Sequence, residues 1–135
     1  MKSLMICLAL ILSLAVGAAA GEYSLSVTGS GHPGTALNFT VKGPANPHAV
    51  AFLGISPLPG TTVFPFVTMD LAMPIWASGM GALNDGKVSH KVMVPTNWPP
   101  FLTLPFYAQS VVVMPAGPGH QAVTTNVVKF LVTGK

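Results

Sequence analysis

Hydrophobic and polar residues alternate along most of this chain with a period of two. Tyr23, Leu25 and Val27 interleave with Ser24, Ser26 and Thr28, and Leu37, Phe39 and Val41 with Asn38, Thr40 and Lys42. Alternation of this kind marks half-buried strands, because successive side chains of a strand point to opposite faces. Ala49 to Ile55 is a continuous apolar run, which predicts a strand buried on both faces. Lys87 to Val94 places Val88, His90, Val92 and Val94 on one face. Leu102 to Met114 is the longest strand-like stretch, with a break expected at Pro105, and Val123 to Thr133 closes the chain with Val128, Phe130 and Val132 in register.

Two apolar stretches resist this pattern. Thr61 to Val67 and Met69 to Trp76 are cut by Pro65 and Pro74, and proline cannot donate to a sheet ladder, so they read as edge strands or a packed loop. The apolar content from Val63 to Trp76 exceeds what one strand face can hold, which leaves part of it at the surface or on an edge. Asn84-Asp85-Gly86 signals a tight turn, Pro95 to Pro100 a rigid loop, and Pro115 to His120 another turn. No window carries an i, i+3, i+4, i+7 apolar stripe free of proline and glycine. Seven or eight short strands with such turns predict an all-β, antiparallel β-sandwich of immunoglobulin-like or jelly-roll-like type, as a single domain over residues 21–135.

The first twenty residues follow a different rule. Lys2 precedes an apolar run from Leu4 to Val16 interrupted only by Ser13, and Gly17-Ala18-Ala19-Ala20 supplies small residues in the A-x-A arrangement. This is the pattern of a secretory signal peptide cut between Ala20 and Gly21. A run of about thirteen residues is short for a membrane anchor, which needs about 20. The lone cysteine, Cys7, lies too early to take a lipid at the cleavage point. The expected location is therefore secreted, cell-surface or periplasmic, with no membrane span after processing.

Composition matters once that leader is set aside. The 50% apolar share of the whole chain falls to about 45% in the remaining 115 residues, an ordinary value for a globular domain. No cysteine remains, so the exported domain stands on packing without disulfides. Charge is scarce: six lysines, no arginine, and only Glu22, Asp70 and Asp85 as acids. Absence of arginine and of any lysine cluster excludes the basic surface that nucleic acid requires.

Motif matches thin out under the same scrutiny. Gly29-Ser30-Gly31-His32-Pro33-Gly34 fits G-x-G-x-x-G, yet Pro33 and an alternating strand follow where a dinucleotide site needs a helix, so it reads as a hairpin loop. Leu58-Pro59-Gly60-Thr61 resembles the opening of a cell-wall sorting signal but continues into Thr62 and lies mid-chain. Asn38-Phe39-Thr40 is a sequon that reads as the wet face of a strand. His32, His48, His90 and His120, with Met69, Met73, Met80, Met93 and Met114, include the ligand types of a soft-metal site, but their spacing forms no H-x-H or repeated M-x-x-M cluster, and no thiolate is present. We therefore expect no metal and no cofactor. No G-x-S-x-G elbow or thiol nucleophile occurs, and the chain reads as non-catalytic.

Trp76, Trp98 and Phe101 are the candidate binding residues, since loop aromatics on sandwiches stack on sugars or fill a partner's pocket. The competing role for Trp98, and more so for Trp76, is to cap the core. The expected partners are other proteins or copies of this chain, with a glycan as a further possibility.

Four segments together carry a family resemblance: Asn46-Pro47-His48-Ala49-Val50-Ala51-Phe52-Leu53-Gly54-Ile55-Ser56, Pro95-Thr96-Asn97, Phe106-Tyr107-Ala108-Gln109-Ser110-Val111-Val112-Val113, and Thr125-Asn126-Val127-Val128-Lys129-Phe130-Leu131-Val132-Thr133. Across most of residues 35–135 the chain resembles a β-sandwich module found at the end of large secreted proteins of planctomycete- and myxobacterial-type bacteria. It departs from that module in standing alone, in having Ser110 where the module tends to carry tryptophan, and in lacking a central Gly-Cys. The resemblance implies the β-sandwich fold and no catalytic residue, and the module's own role is undefined. Taken together, the leader, the fold pattern and the scarcity of charge lead us to expect an exported β-sandwich acting as a structural or adhesive module, or else as a self-assembling subunit of a surface layer or fibre.

Overall fold

The structure, a computed structural model, describes residues 22–134, so the leader and the Ala20–Gly21 junction lie outside the described residues. The described chain is all β. Its ten strands are β1 (Ser24–Thr28), β2 (Ala36–Lys42), β3 (Asn46–Ser56), β4 (Pro59–Val63), β5 (Thr68–Leu71), β6 (Trp76–Leu83), β7 (Lys87–Met93), β8 (Thr103–Ala116), β9 (Gly119–Thr124) and β10 (Val128–Thr133). One sheet has the order β1-β2-β7; the other runs β6-β3-β8, with β9 and β10 both paired to β8. All pairings are antiparallel. No helix among the described residues is long and apolar enough to cross a membrane.

The alternating strands form because each buries one face. Leu25, Leu37, Phe39 and Val41 of the smaller sheet pack against Ala49, Ala51, Leu53, Ala108, Val112 and Val132 of the larger one. Phe39 meets Phe130 edge to face at 5.3 Å, and Phe130 in turn stacks on Phe106 at 5.9 Å. The Tyr23 phenol enters this core and donates to the Pro44 carbonyl at 3.0 Å. Its burial, with a smaller contribution from the Glu22 carboxylate, raises the phenol above its ordinary pKa.

Strand β8 organises the larger sheet. It pairs with β3 through Tyr107–Val113 on one side, and on the other with β10 through Thr103–Ala108 and with β9 through Val111–Ala116. Strands β9 and β10 are thus one line along β8, interrupted at residues 125–127. There the Ser110 N–H donates to the Thr125 hydroxyl at 3.0 Å and the Thr125 N–H to the Ser110 carbonyl, also at 3.0 Å. The Asn126 side chain accepts from the Leu25 N–H at 2.9 Å and donates to the Leu25 carbonyl at 3.0 Å, so an amide side chain acts as a peptide group and ties β1 to the opposite sheet. Pro105 does not break β8. The strand is paired only to β10 at that point, and a residue without an N–H is tolerated on a one-sided stretch.

The Pro-cut stretches form a third layer. Strands β4 and β5 make a hairpin outside both sheets, and the crossing from β5 to β6 contains the cis Met73–Pro74 bond. The hairpin lies on the outer face of the larger sheet, where Met69 and Leu71 are buried with Val111. Strand β6 carries no alternation: Ala77-Ser78-Gly79-Met80-Gly81-Ala82 becomes a strand by pairing with β3, Gly54 opposite Ala77 and Phe52 opposite Gly79. The Gly29–Gly34 match forms the loop joining β1 to β2, and Asn84-Asp85-Gly86 the turn joining β6 to β7.

Candidate functional site

The outer face of the larger sheet is only partly covered by the β4–β5 hairpin. What remains is a groove of about 560 Å³ whose floor is Phe52, Gly54, Ala77, Val111 and Val113 and whose wall is Phe64, Phe66, Val67, Met69, Met73 and Ile75. That volume falls within the range of small-molecule and anchor pockets, about 300–1,000 Å³. Every lining residue is apolar.

Each part of the groove has a local cause. The Phe64 N–H closes a turn on the Val67 carbonyl at 2.8 Å, and the Phe64 and Phe66 rings stack 6.0 Å apart. A β-carbon on Gly54 would lie 3.1 Å from both Ile75 and Met69, so glycine sets how closely wall approaches floor. The expectation that Ala49–Ile55 is buried on both faces holds along its core side but on the outer side only at Gly54. Outward-facing Val50 is 37% exposed and Phe52 43% exposed, because the hairpin covers the strand at Gly54 and Ser56 and stops there.

Polar side chains hold the wall in place from behind. Gln109, fully buried, accepts from the Asp70 N–H through Oε1 at 2.8 Å and donates through Nε2 to the Thr125 carbonyl at 2.8 Å and to the Asp70 carboxylate at 3.3 Å. The Ser56 hydroxyl donates to the Ala72 carbonyl at 2.5 Å and accepts from the Leu58 N–H at 3.1 Å. Thr62 donates to the Leu71 carbonyl at 2.7 Å. One glutamine thus connects the hairpin, β8 and the β9–β10 interruption.

The three aromatic residues singled out from the sequence lie elsewhere. Trp98 is half-buried, its ring edge-on to Phe106 at 6.2 Å and its indole N–H donating to the Leu102 carbonyl at 2.9 Å, so it caps the core. Trp76 does not cap the core in the same way. It is 57% exposed on edge strand β6, beside which no further strand pairs among the described residues. Trp76 and Trp98 line one shallow cleft of about 280 Å³, while Phe101 stands apart from it at 89% exposure. His90 bridges the sheets, its Nε2 3.1 Å from the Ser78 hydroxyl. Among the described residues no three His, Cys, Asp or Glu side chains converge.

Sequence reasoning missed Phe52, Phe64, Val111 and Val113 as site residues. The excess apolar content between Val63 and Trp76 was the signal for the wall; nothing local marked the floor. The geometry defines an all-β sandwich with a third, two-stranded layer and an apolar groove beneath it. No protein-family model matches the chain, and no curated protein or solved structure is detectably similar to it.

Proposed function

We propose that this protein is an exported, non-catalytic interaction module, structural or adhesive in role, acting at the cell envelope or outside the cell. The apolar groove is its working surface. It holds an apolar group of a partner, because its lining offers bulk and dispersion contacts with no acid, base, nucleophile or hydrogen-bonding side chain. The leader pattern and the resemblance to secreted sandwich modules support the export half of this reading. The scarcity of charge supports the contact half, since few ionic groups stand between the surface and a partner.

A neutral fluorescent probe, N-phenyl-1-naphthylamine, tests the groove directly. Its emission should rise and saturate at one equivalent, and Phe66→Lys should weaken binding at least tenfold. Phe66 is 66% exposed, so this substitution leaves the core intact. Absence of saturable binding, or equal binding by the variant, overturns the groove as the working surface.

Export has its own measurement. Protein recovered from outside the inner membrane of its host should begin at Gly21. An intact Met1 on that material would refute the processing reading.

A further inference from the structure

Resting on the groove as a binding surface, we infer that its occupant is Phe101 of a second copy of this chain, giving a head-to-tail assembly. Phe101 combines two local costs that the monomer does not recover. It is 89% exposed, and its φ of 63° lies in the left-handed region that favours glycine. Strain at a bulky residue persists only where the surroundings over-determine it. Here they do: the Leu102 N–H donates to the Pro99 carbonyl at 3.3 Å, and the Leu102 carbonyl accepts from both the Trp98 indole at 2.9 Å and the Gly134 N–H at 2.9 Å. The two prolines before it, Pro99 and Pro100, stiffen the approach. The result is a single phenyl ring held out from the surface on a rigid turn. Preorganised aromatic anchors of this kind lose little freedom on binding.

The matching hole is on the same molecule but out of its own reach. From Thr103, where β8 begins beside Phe101, to Gln109, which pairs with Gly54 at the near end of the groove floor, is six strand residues, about 20 Å at the usual rise. A rigid turn cannot fold back over that distance, so knob and hole meet only between copies. Because the two surfaces differ, the contact is heterologous; it generates a ring if the rotation closes and a fibre if it does not. Charge does not oppose stacking of copies, since residues 21–135 hold five lysines and three acids, a net charge of +2. The groove wall carries none of them.

Two variants separate the halves of the contact. Phe101→Gly removes the knob and suits the backbone at φ 63°, so it should melt no lower than the parent protein. Phe66→Lys spoils the hole and leaves the knob. In sedimentation velocity, processed wild-type protein should grow in mass with concentration, and each variant alone should associate at least tenfold more weakly. Their equimolar mixture should form one-to-one pairs that do not extend, since one partner supplies the knob and the other the hole. Phe101→Gly assembling like wild type, a mixture that stays monomeric, or monomeric wild type at millimolar concentration would each overturn the inference. The naphthylamine probe keeps the two readings apart: saturable binding by Phe101→Gly preserves the groove even where the second-copy assignment fails, and loss of both removes both.

Discussion

Gly31→Ala should lower the melting temperature by about 10 °C or more, although the change adds one methyl group. Gly31 has φ +77°, where any residue with a β-carbon costs about 1–2 kcal/mol. The larger part of the effect is steric. The added carbon would overlap the Leu131 carbonyl oxygen, and that oxygen belongs to the backbone of β10. Neither side yields easily, because the Thr133 N–H donates to the Gly31 carbonyl at 3.0 Å and pins loop to strand. Together these amount to roughly 3 kcal/mol, and a domain of this size loses about 4 °C per kcal/mol. Gly117→Ala is the matched control, with φ +59° and nothing within 4 Å of the new carbon. It should pay only the conformational part. Thermal melts followed by circular dichroism compare the two, and equal losses would show that the Leu131 contact is unimportant.

Gln109→Leu should be nearly as damaging and should act on the groove as well. The side chain is fully buried, and its removal leaves the Asp70 N–H and the Thr125 carbonyl without these partners. Each unsatisfied buried group costs about 1–3 kcal/mol, so a loss of about 3 kcal/mol is expected from the pair. Asp70 lies on β5, the strand that supports Met69 and Leu71, so the hairpin forming the groove wall should loosen selectively. Hydrogen exchange reads this directly. Protection at the Asp70 amide should fall further than at Phe39 in the main core, and probe binding should weaken in parallel. A uniform loss of protection across both regions would mean that Gln109 stabilises the sandwich generally and does not govern the groove.

The strands that build the main core were legible because each buries one face. The alternations around Leu25, Phe39, Val88 and Phe130 reappear as β1, β2, β7 and β10, and the long stretch after Leu102 reappears as β8. Turn chemistry was equally local: Asp85 and Gly86 form the turn between β6 and β7, where Gly86 takes φ +78°. Strand β6 was not legible. Its glycines and alanines have no face of their own and acquire strand geometry from the ladder with β3. Pro105 misled for the related reason that a proline's effect depends on whether a neighbour needs its missing N–H, which depends on sheet order.

The candidate site divides along the same line. From residues alone one could see that Val63 to Trp76 carries more apolar surface than a strand can bury, and that Trp76, Trp98 and Phe101 needed an explanation. Burial is a sum over neighbours, so only the assembled fold could assign Trp98 to the core, leave Trp76 on an open edge and hold Phe101 out in solvent.

By itself, then, the sequence determined the period-two pattern, the turns and the surplus of apolar residues, because all three are properties of side chains and adjacent dihedrals. Tertiary structure decided which of the surplus became groove wall, and left Phe101 out in solvent. Phe52, Val111 and Val113 become a groove floor only when a hairpin from elsewhere in the chain covers half of the face they share. That covering is a long-range contact held by Gln109 and Ser56, and no local pattern encodes where it stops.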